Sequence, residues 1–592
     1  MNTITRCFDL LENGLSKGNK ADHFAAKVNG SWVEYNTEKV IELSTRLALG
    51  LLALGVEKDD KIAIISNNRP EWCITDYAIQ QAGAISVPIY STISEEDTTY
   101  IFNDCDVNFA FVSTPELFEK VKRTADTLKK EIHIFIYNSD QNYPNWAELI
   151  TIGITHKPYA LLEERRNAVL PTNVLTIIYT SGTTGNPKGV MLTHHNILSN
   201  IEGAKPAMPV KDGDRALSFL PLCHVYERML CYLYQRFGVG VWFAESMDTI
   251  IQDLKDVKPH IFTTVPRLLE KVYDGIVNKG NALKGISKLI FFWALNLGLR
   301  FDVQGRNSVF YKLQLWIARQ LVFVKWQEAL GGNIVAIVSG SAALQPRLSR
   351  VFRAAGIDVM EGYGLTETSP VISVNRKEPD GVRVGTVGPL IDGVEVKIAE
   401  DGEILVKGPN IMLGYFNKPE LTAEAFTPDG YFKTGDIGEM VEGRFLKITD
   451  RKKEIFKTSG GKYIIPQKTE NLLKESTLIE QAMVIGEGQK FPAALIIPNL
   501  PALKDWLKAK NLTFSSLPAA IALPVVQEKY QKEVDKANET LGQYEKIKKF
   551  LVLAEPWGVD SGELTPTLKL KRKAILGKYA KDVNSIYENQ IE

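Results

Sequence analysis

This 592-residue chain has little cysteine, no apolar run long enough to span a bilayer, no net charge, and no repeated or low-complexity tract. Its five cysteines, Cys7, Cys73, Cys105, Cys223 and Cys231, lie far apart and never fall into C-x-x-C spacing. A disulfide framework and a thiolate metal cluster are therefore not expected, and the residues read as reduced thiols of a cytoplasmic protein. The nearest approach to a membrane span, Leu289 to Leu299, falls well short of the roughly 20 apolar residues a helix needs. The start, MNTITRCFDLLENG, lacks a basic segment ahead of an apolar one, so no secretion signal is expected. Seventy Lys and Arg against 70 Asp and Glu leave no global field for a polyanion, and nucleic acid is not an expected partner. The balance is uneven only at the end: from Arg451 onward basic residues outnumber acidic ones, which suits either a phosphate-rich ligand or a merely solvated surface.

What is present is enough apolar residue, 45% of the chain, and enough length for two or more domains. Val40, Leu43, Leu47, Leu51 and Leu54 keep helical spacing up to Gly55, and Lys61–Ser66 follows as a buried strand. The alternation repeats at 84–89, 109–112 and 334–339, which implies doubly wound parallel sheets with ligands at the carboxyl ends of strands. Between about 370 and 449, short alternating runs with frequent Gly and Pro predict a small antiparallel subdomain. The charge cluster Thr449–Phe456 reads as a linker, and the remaining 140 or so residues as an α+β lobe whose segment Gln527–Glu545 is a charged, solvent-facing helix. The expected class is α/β: an N-terminal domain (1–449) of two doubly wound sheets plus a small β subdomain, a hinge (450–453), and a smaller α+β C-terminal domain (454–592).

The most informative stretch is Tyr179–Val190, where an apolar strand (Val174–Tyr179) opens into Thr180, Ser181, Gly182, Thr183, Thr184 and Gly185 and ends at Lys188. Glycines let backbone N–H groups approach anionic oxygens, hydroxyls add donors, and the lysine adds a point charge, so this is a phosphate cradle. It is not the Walker loop, because Pro187 precedes the lysine and Gly189 follows it. Four further strings carry chemistry. Leu220–Arg228 holds a lone histidine, His224, beside Glu227 and Arg228. Glu361–Thr368 offers an aromatic face at Tyr363, a hydroxyl at Thr366, and at Glu367 a carboxylate suited to Mg²⁺. Tyr431–Asp436 presents a carboxylate able to accept two ribose hydroxyls, and Leu564–Arg572 places lysines in a turn-prone segment.

In this order, over about residues 20 to 590, these strings resemble the AMP-forming adenylate synthetases: acyl-CoA ligases, luciferases and peptide-synthetase adenylation domains. The L-P-L-x-H-x-x-E-R form around His224, the run Thr264–Lys271 and the ending L-T-P-T-L-K-L-K-R look most like a long-chain fatty acid–CoA ligase. The resemblance implies ATP, Mg²⁺ and coenzyme A as co-substrates or cofactors, a fatty acid substrate, and a mobile C-terminal domain. It further implies that Thr180, Ser181, Gly182, Thr183, Thr184, Gly185 and Lys188 hold the β- and γ-phosphates, with Thr180 and Glu367 near Mg²⁺. Gly340, Ser341, Glu361, Gly362 and Tyr363 would frame adenine, Thr366 would touch the α-phosphate, and Asp436 and Arg451 would hold the ribose. Lys569 would be the adenylation lysine, with Lys571 its local competitor. After rotation about Asp450–Arg451, Lys457, Gly460, Gly461, Lys462 and Tyr463 would meet the acyl-adenylate and the CoA phosphates.

His224 in this resemblance closes the pocket and orients the carboxylate. Some long-chain members place a gating tryptophan one turn later, where Arg228 stands here; pairing with Glu227 or with a phosphate is left open for it. Cys231–Phe243 is a candidate wall of the acyl tunnel. The segment Lys288–Trp326, apolar and aromatic residues interleaved with Lys and Arg, reads either as packed helices or as a surface resting on a bilayer, such as the inner face of the cell membrane. A ligase passing acyl-adenylate to a separate carrier protein, and a ligase for another carboxylic acid, are the alternative activities. The oligomeric state is not legible.

Overall fold

The computed structural model describes residues 4–138, 140–180, 186–559, 561–565 and 568–588. A seven-stranded sheet has the strand order Gly414–Tyr415, Lys188–Thr193, Val174–Thr180, Ile85–Ile89, Lys61–Ile65, Phe109–Val112, His133–Ile136. Its last five strands are parallel, and the hairpin of β1 (Val174–Thr180) with β2 (Lys188–Thr193) makes the antiparallel side. The parallel strands are wholly or almost wholly buried, Ile85–Ile89 at every residue, as sheets covered on both faces require.

An eight-stranded sheet stands beside it in the order Val371–Val374, Val359–Gly364, Ala336–Ser339, Ile261–Thr264, Arg215–Ser218, Gly240–Phe243, Phe24–Val28, Ser31–Tyr35. Here β3 (Ala336–Ser339) and β4 (Val359–Gly364) run parallel, and only the two edge strands are antiparallel. The doubly wound expectation therefore holds for the centre of each sheet. Helix α1 (Val225–Phe237) connects two strands of this second sheet and is buried along nine consecutive positions from Glu227 to Gln235 and at Val225. Helices α2 (Gly285–Leu299) and α3 (Val309–Ala318) cover its outer side.

The predicted antiparallel subdomain is a four-stranded sheet in which β5 (Phe432–Val441) pairs with β6 (Phe445–Arg451). Strand β6 runs through Asp450 and Arg451, so the charge cluster begins inside regular structure. Beyond it, a three-stranded sheet (Ile479–Ile485, Ala493–Pro498, Lys549–Val552) with flanking helices forms the C-terminal lobe. The charged helix expected at Gln527–Glu545 runs instead from Pro524 to Asn538, and it is not wholly solvent-facing. Val526, Tyr530, Val534 and Ala537 keep helical spacing and are buried in the lobe's core, a stripe hidden in the sequence by the charged residues around it. All five cysteines are free and buried. Among the described residues no helix is long and apolar enough to cross a membrane.

Candidate active site

The site gathers where the β1–β2 hairpin of the first sheet meets the turn that follows β4 of the second. Hairpin β1–β2 brings Thr180 opposite Lys188; Ser181, Gly182, Thr183, Thr184 and Gly185 lie outside the described residues. Lys188 Nζ stands 5.2 Å from the ring centre of Tyr415, and the Tyr415 hydroxyl donates to Glu367 Oε1 at 3.0 Å. Glu367 itself sits in the 3₁₀ turn Thr366–Thr368 just after β4, where its carbonyl accepts Met412 N–H at 2.8 Å. The β1–β2 hairpin and a carboxylate 179 positions from Lys188 in sequence are thus joined through one tyrosine. Burial raises the Glu367 carboxyl above its usual range; the Tyr415 bond and the Lys188 charge oppose that rise.

Beside it, between the end of β4 and the middle of β5, the Tyr363 hydroxyl donates to Asp436 Oδ2 at 2.7 Å. Arg451, directly across the β5–β6 ladder, reaches Asp436 Oδ1 at 3.6 Å. Burial raises the Asp436 carboxyl, while Arg451, the Tyr363 bond and Lys569 pull it back. The carboxyl end of β3 supplies Gly340 and Ser341, the latter at φ +70°, in the left-handed region. A Cβ on Gly340 would come within 3.1 Å of the Tyr226 ring, so glycine lets the loop lie against α1 without displacing that ring. Glu361 lies beneath this loop, accepting a bond from the Leu344 backbone; burial pushes its carboxyl up to about 8, so it is largely neutral at pH 7. Gly362 continues β4 opposite Val374.

His224 caps α1: its Nδ1 accepts Tyr226 N–H at 3.2 Å, which leaves the proton on Nε2. Burial, and the positive charge of Lys569, push the imidazole down to about 4, so it is neutral at pH 7. This suits a hydrogen-bond donor to a carboxylate.

Lys569 comes from the other lobe. Leu564 and Leu570 bridge across a tight loop in which Thr565 N–H donates to the Lys569 carbonyl at 2.8 Å and Lys569 N–H to Thr565 Oγ1 at 3.0 Å. The loop carries Leu568 at φ +60° and sets the half-buried lysine close enough to Asp436 and His224 to perturb both, and close enough to Arg451 to feel its charge. Burial and the neighbouring Arg451 push its ammonium down to about 8, against the pull of Asp436 and Glu454. Lys571, two residues on, is exposed and caps the next helix. The lobes also touch away from this cluster: Arg267 reaches Glu480 at 2.7 Å and Glu270 at 3.2 Å, and Gln345 donates to Glu270 and to the Lys474 carbonyl.

The segment expected to serve the thiol step stands apart from this cluster, in the C-terminal lobe. Lys457 and Tyr463 are cross-strand partners with the ammonium 4.5 Å from the ring, Thr458 N–H donates to Lys462, and Gly488 and Gln489 receive or supply the remaining backbone bonds. Gly461 needs its φ of +75°, and neither it nor Gly460 has a neighbour that would crowd a Cβ.

Both readings left open for Arg228 are overturned. Its guanidinium is buried and bonds Asp76, Thr176 Oγ1 at 2.7 Å and Ser86 Oγ at 2.8 Å, with Trp72 stacked 5.5 Å away. Glu227 turns the other way, accepting from Thr263 and Ser218, and burial pushes its carboxyl up to about 7. Successive residues of a helix point about 100° apart, so adjacent Glu and Arg do not face each other. Sequence reading also missed Tyr415 and Tyr226, whose roles rest on partners at Glu367 and Gly340 that no local spacing announces.

Comparisons with known proteins place this geometry. A family model described as AMP-binding enzyme matches residues 16–416, and one described as AMP-binding enzyme C-terminal domain matches residues 453–591. A long-chain fatty acid–CoA ligase from Mycobacterium bovis is 36% identical over 95% of this chain and 94% of its own. Human long-chain fatty acid–CoA ligase 1 is 30% identical over 99% and 87% respectively. Among solved structures, the adenylation domain of a carboxylate reductase from Mycobacterium chelonae superposes with a TM-score of 0.77 over 99% of this chain and 91% of its own, at 19% identity. At that identity the likeness speaks for the fold.

Proposed function

This chain belongs to the AMP-binding enzyme family, and from that membership we propose its reaction: it is a long-chain fatty acid–CoA ligase working through an acyl-adenylate. The fatty carboxylate oxygen attacks the α-phosphorus of ATP, the bond to the bridging oxygen breaks, and diphosphate leaves. The CoA sulfur then attacks the acyl carbon, its proton is lost, and AMP leaves. The observation that carries the first step is the arrival of Lys569, from the C-terminal lobe, beside Asp436, Arg451 and His224.

The cost of that step is mainly electrostatic, because an anion approaches an anion. In this reading Lys569 bridges carboxylate and α-phosphate, His224 donates from Nε2 to the carboxylate, and Thr366 bonds the α-phosphate. Asp436 accepts the ribose hydroxyls, with Arg451 and Tyr363 fixing its rotamer. Gly340, Ser341, Glu361 and Gly362 border the adenine, and Lys188 with the preceding loop takes the outer phosphates. Among the described residues no group of three or more His, Cys, Asp or Glu forms a metal cage. That fits Mg²⁺, which takes one or two protein carboxylates and completes its shell with water and phosphate. Glu367 and Thr180 would hold it, and it would neutralise phosphate oxygens.

Diphosphate release assayed with carboxylic acids of increasing length, with and without CoA, tests the activity. Each buried methylene contributes about 0.8 kcal/mol, so specificity is expected to rise roughly fourfold per added carbon until the tunnel is full. Thioester should appear only with CoA. Acyl-adenylate that accumulates unchanged in the presence of CoA would overturn the assignment in favour of carrier-directed transfer.

For the second step the C-terminal lobe turns about Asp450–Arg451, withdraws Lys569, and presents Lys457, Gly460, Gly461, Lys462 and Tyr463 to the acyl-adenylate and CoA. The Arg267–Glu480 bridge would then hold the adenylating arrangement only. Arg267→Gln is expected to slow diphosphate release by up to about fivefold, the worth of one partly exposed pair. Thioester formation from supplied acyl-adenylate should be unchanged or faster; a parallel fall in both rates would count against it.

A further inference from the structure

The surface of α2 and α3 is the part of the molecule that the ligase reading leaves unused. Helix α3 has two apolar faces. One, with Leu315 and Ala318 and continuing to Val322, is buried in the core beside the second sheet, which also takes Phe291, Ala294 and Leu295 of α2. The other carries Val309, Phe310, Leu313, Trp316 and Ile317, spaced i, i+1, i+4, i+7, i+8, so it is one continuous face. It is open: Val309 is 84% exposed, Phe310 68% and Trp316 61%. Helix α2 adds Ile286 at 75% and Leu289 at 71%. The Tyr311 hydroxyl donates to the Leu297 carbonyl at 2.6 Å, pinning the start of α3 to the end of α2. Because both helices bury their opposite faces in the same core, their exposed faces turn to the same side.

Charge says what covers this face. Between Gly275 and Gln327 there are eight Lys or Arg and one acidic residue, Asp302. Lys279, Lys284, Arg300, Arg306, Lys312 and Lys325 are exposed. An apolar helix face bordered by cations, lying flat on a domain, matches an anionic lipid surface: side chains enter the acyl boundary while the cations meet headgroup phosphates. A second copy of this chain does not fit, since a two-fold contact would press the same basic border against itself.

We infer that α2 and α3 form a peripheral docking face for anionic bilayers. It is independent of the adenylation chemistry, since lipid binding needs no substrate, and it places the enzyme where long-chain fatty acid is most concentrated.

Co-sedimentation of the full chain with vesicles of equal parts phosphatidylglycerol and phosphatidylcholine tests it. The wild type is expected to bind these and to bind pure phosphatidylcholine more weakly, with high salt abolishing the difference. Phe310→Ser with Trp316→Ser should weaken binding by at least about tenfold, given the transfer cost of each side chain. Lys284→Glu with Lys312→Glu should remove the preference for anionic vesicles. Wild-type rates of diphosphate release with detergent-dispersed fatty acid will establish that the variants are folded. Absence of wild-type binding, or equal binding by the Phe310→Ser, Trp316→Ser variant, would overturn the proposal. So would a wild-type dimer that those two substitutions dissociate without any vesicle binding.

Discussion

Lys569→Ala is expected to slow adenylation by about two to three orders of magnitude, the cost of deleting one preorganised charge or donor at a developing transition state. Thioester formation from supplied acyl-adenylate should stay close to the wild-type rate. The asymmetry follows from where the lysine sits. Its loop belongs to the C-terminal lobe but its charge is felt by Asp436 and His224 of the N-terminal one. A cation there stabilises the crowded anionic transition state more than the separated reactants, and the thiol step has no incoming anion of that kind at phosphorus. Rapid-quench measurement of acyl-adenylate, set against thioester formation from the isolated intermediate, separates the two. Equal losses would remove Lys569 from its proposed role.

The same residue sets an expected pH dependence. Burial and Arg451 disfavour the ammonium form and push Lys569 down to about 8, below an ordinary lysine. The charged form is therefore present below about 8 and is lost as pH rises through it, so adenylation by the free enzyme should decline on the alkaline side of that value. Burial and the Lys569 charge push His224 down to about 4, so it is neutral across this alkaline range. Lys569→Arg keeps its charge at every accessible pH and should abolish the alkaline limb even where it lowers the rate. An alkaline limb that survives that substitution would belong to another group.

How much of this was legible in sequence depended on the range of the interaction. Strand β1 and its turn into Thr180 could be read because an apolar run followed by hydroxyls and glycines is a local pattern, and the class of the two sheets followed from alternating periods. The C-terminal loop was legible for the same reason, since Thr565 and Lys569 bond within five residues. What could not be read was pairing across the fold. Tyr363 looked like a flat ring for stacking, yet its hydroxyl holds Asp436, 73 residues away. Tyr415 carried no signal at all, although it links Glu367 to the Lys188 end of the β1–β2 hairpin. The helix Pro524–Asn538 was misjudged because four buried residues among many charged ones look solvated unless the helical period is imposed on them.

Arg228 is the sharpest case, and its loss is expected to destabilise the N-terminal domain by about 3–5 kcal/mol, the cost of breaking a buried ion pair by removing one partner. Asp76 lies 152 residues upstream on the helix Pro70–Gln81, and both side chains are almost fully buried. The guanidinium also satisfies Thr176 of β1 and Ser86 of the adjoining strand, while Tyr232 of α1 donates to Asp76. In Arg228→Met the Asp76 carboxylate loses its only cation inside the core, keeping the neutral donors Tyr232 and Gln80, and two hydroxyls each lose a donor. In the double variant Arg228→Met, Asp76→Leu the buried charge is gone as well, so its stability should lie above that of Arg228→Met alone. The network ties α1, which His224 caps, to β1, whose end at Thr180 leads into the segment proposed to bind phosphate. Loosening it should therefore raise the KM for ATP and for fatty acid together in the single variant, with partial recovery in the double. Urea unfolding of the four members of this cycle measures the coupling, and strictly additive losses would mean that Arg228 and Asp76 do not depend on each other.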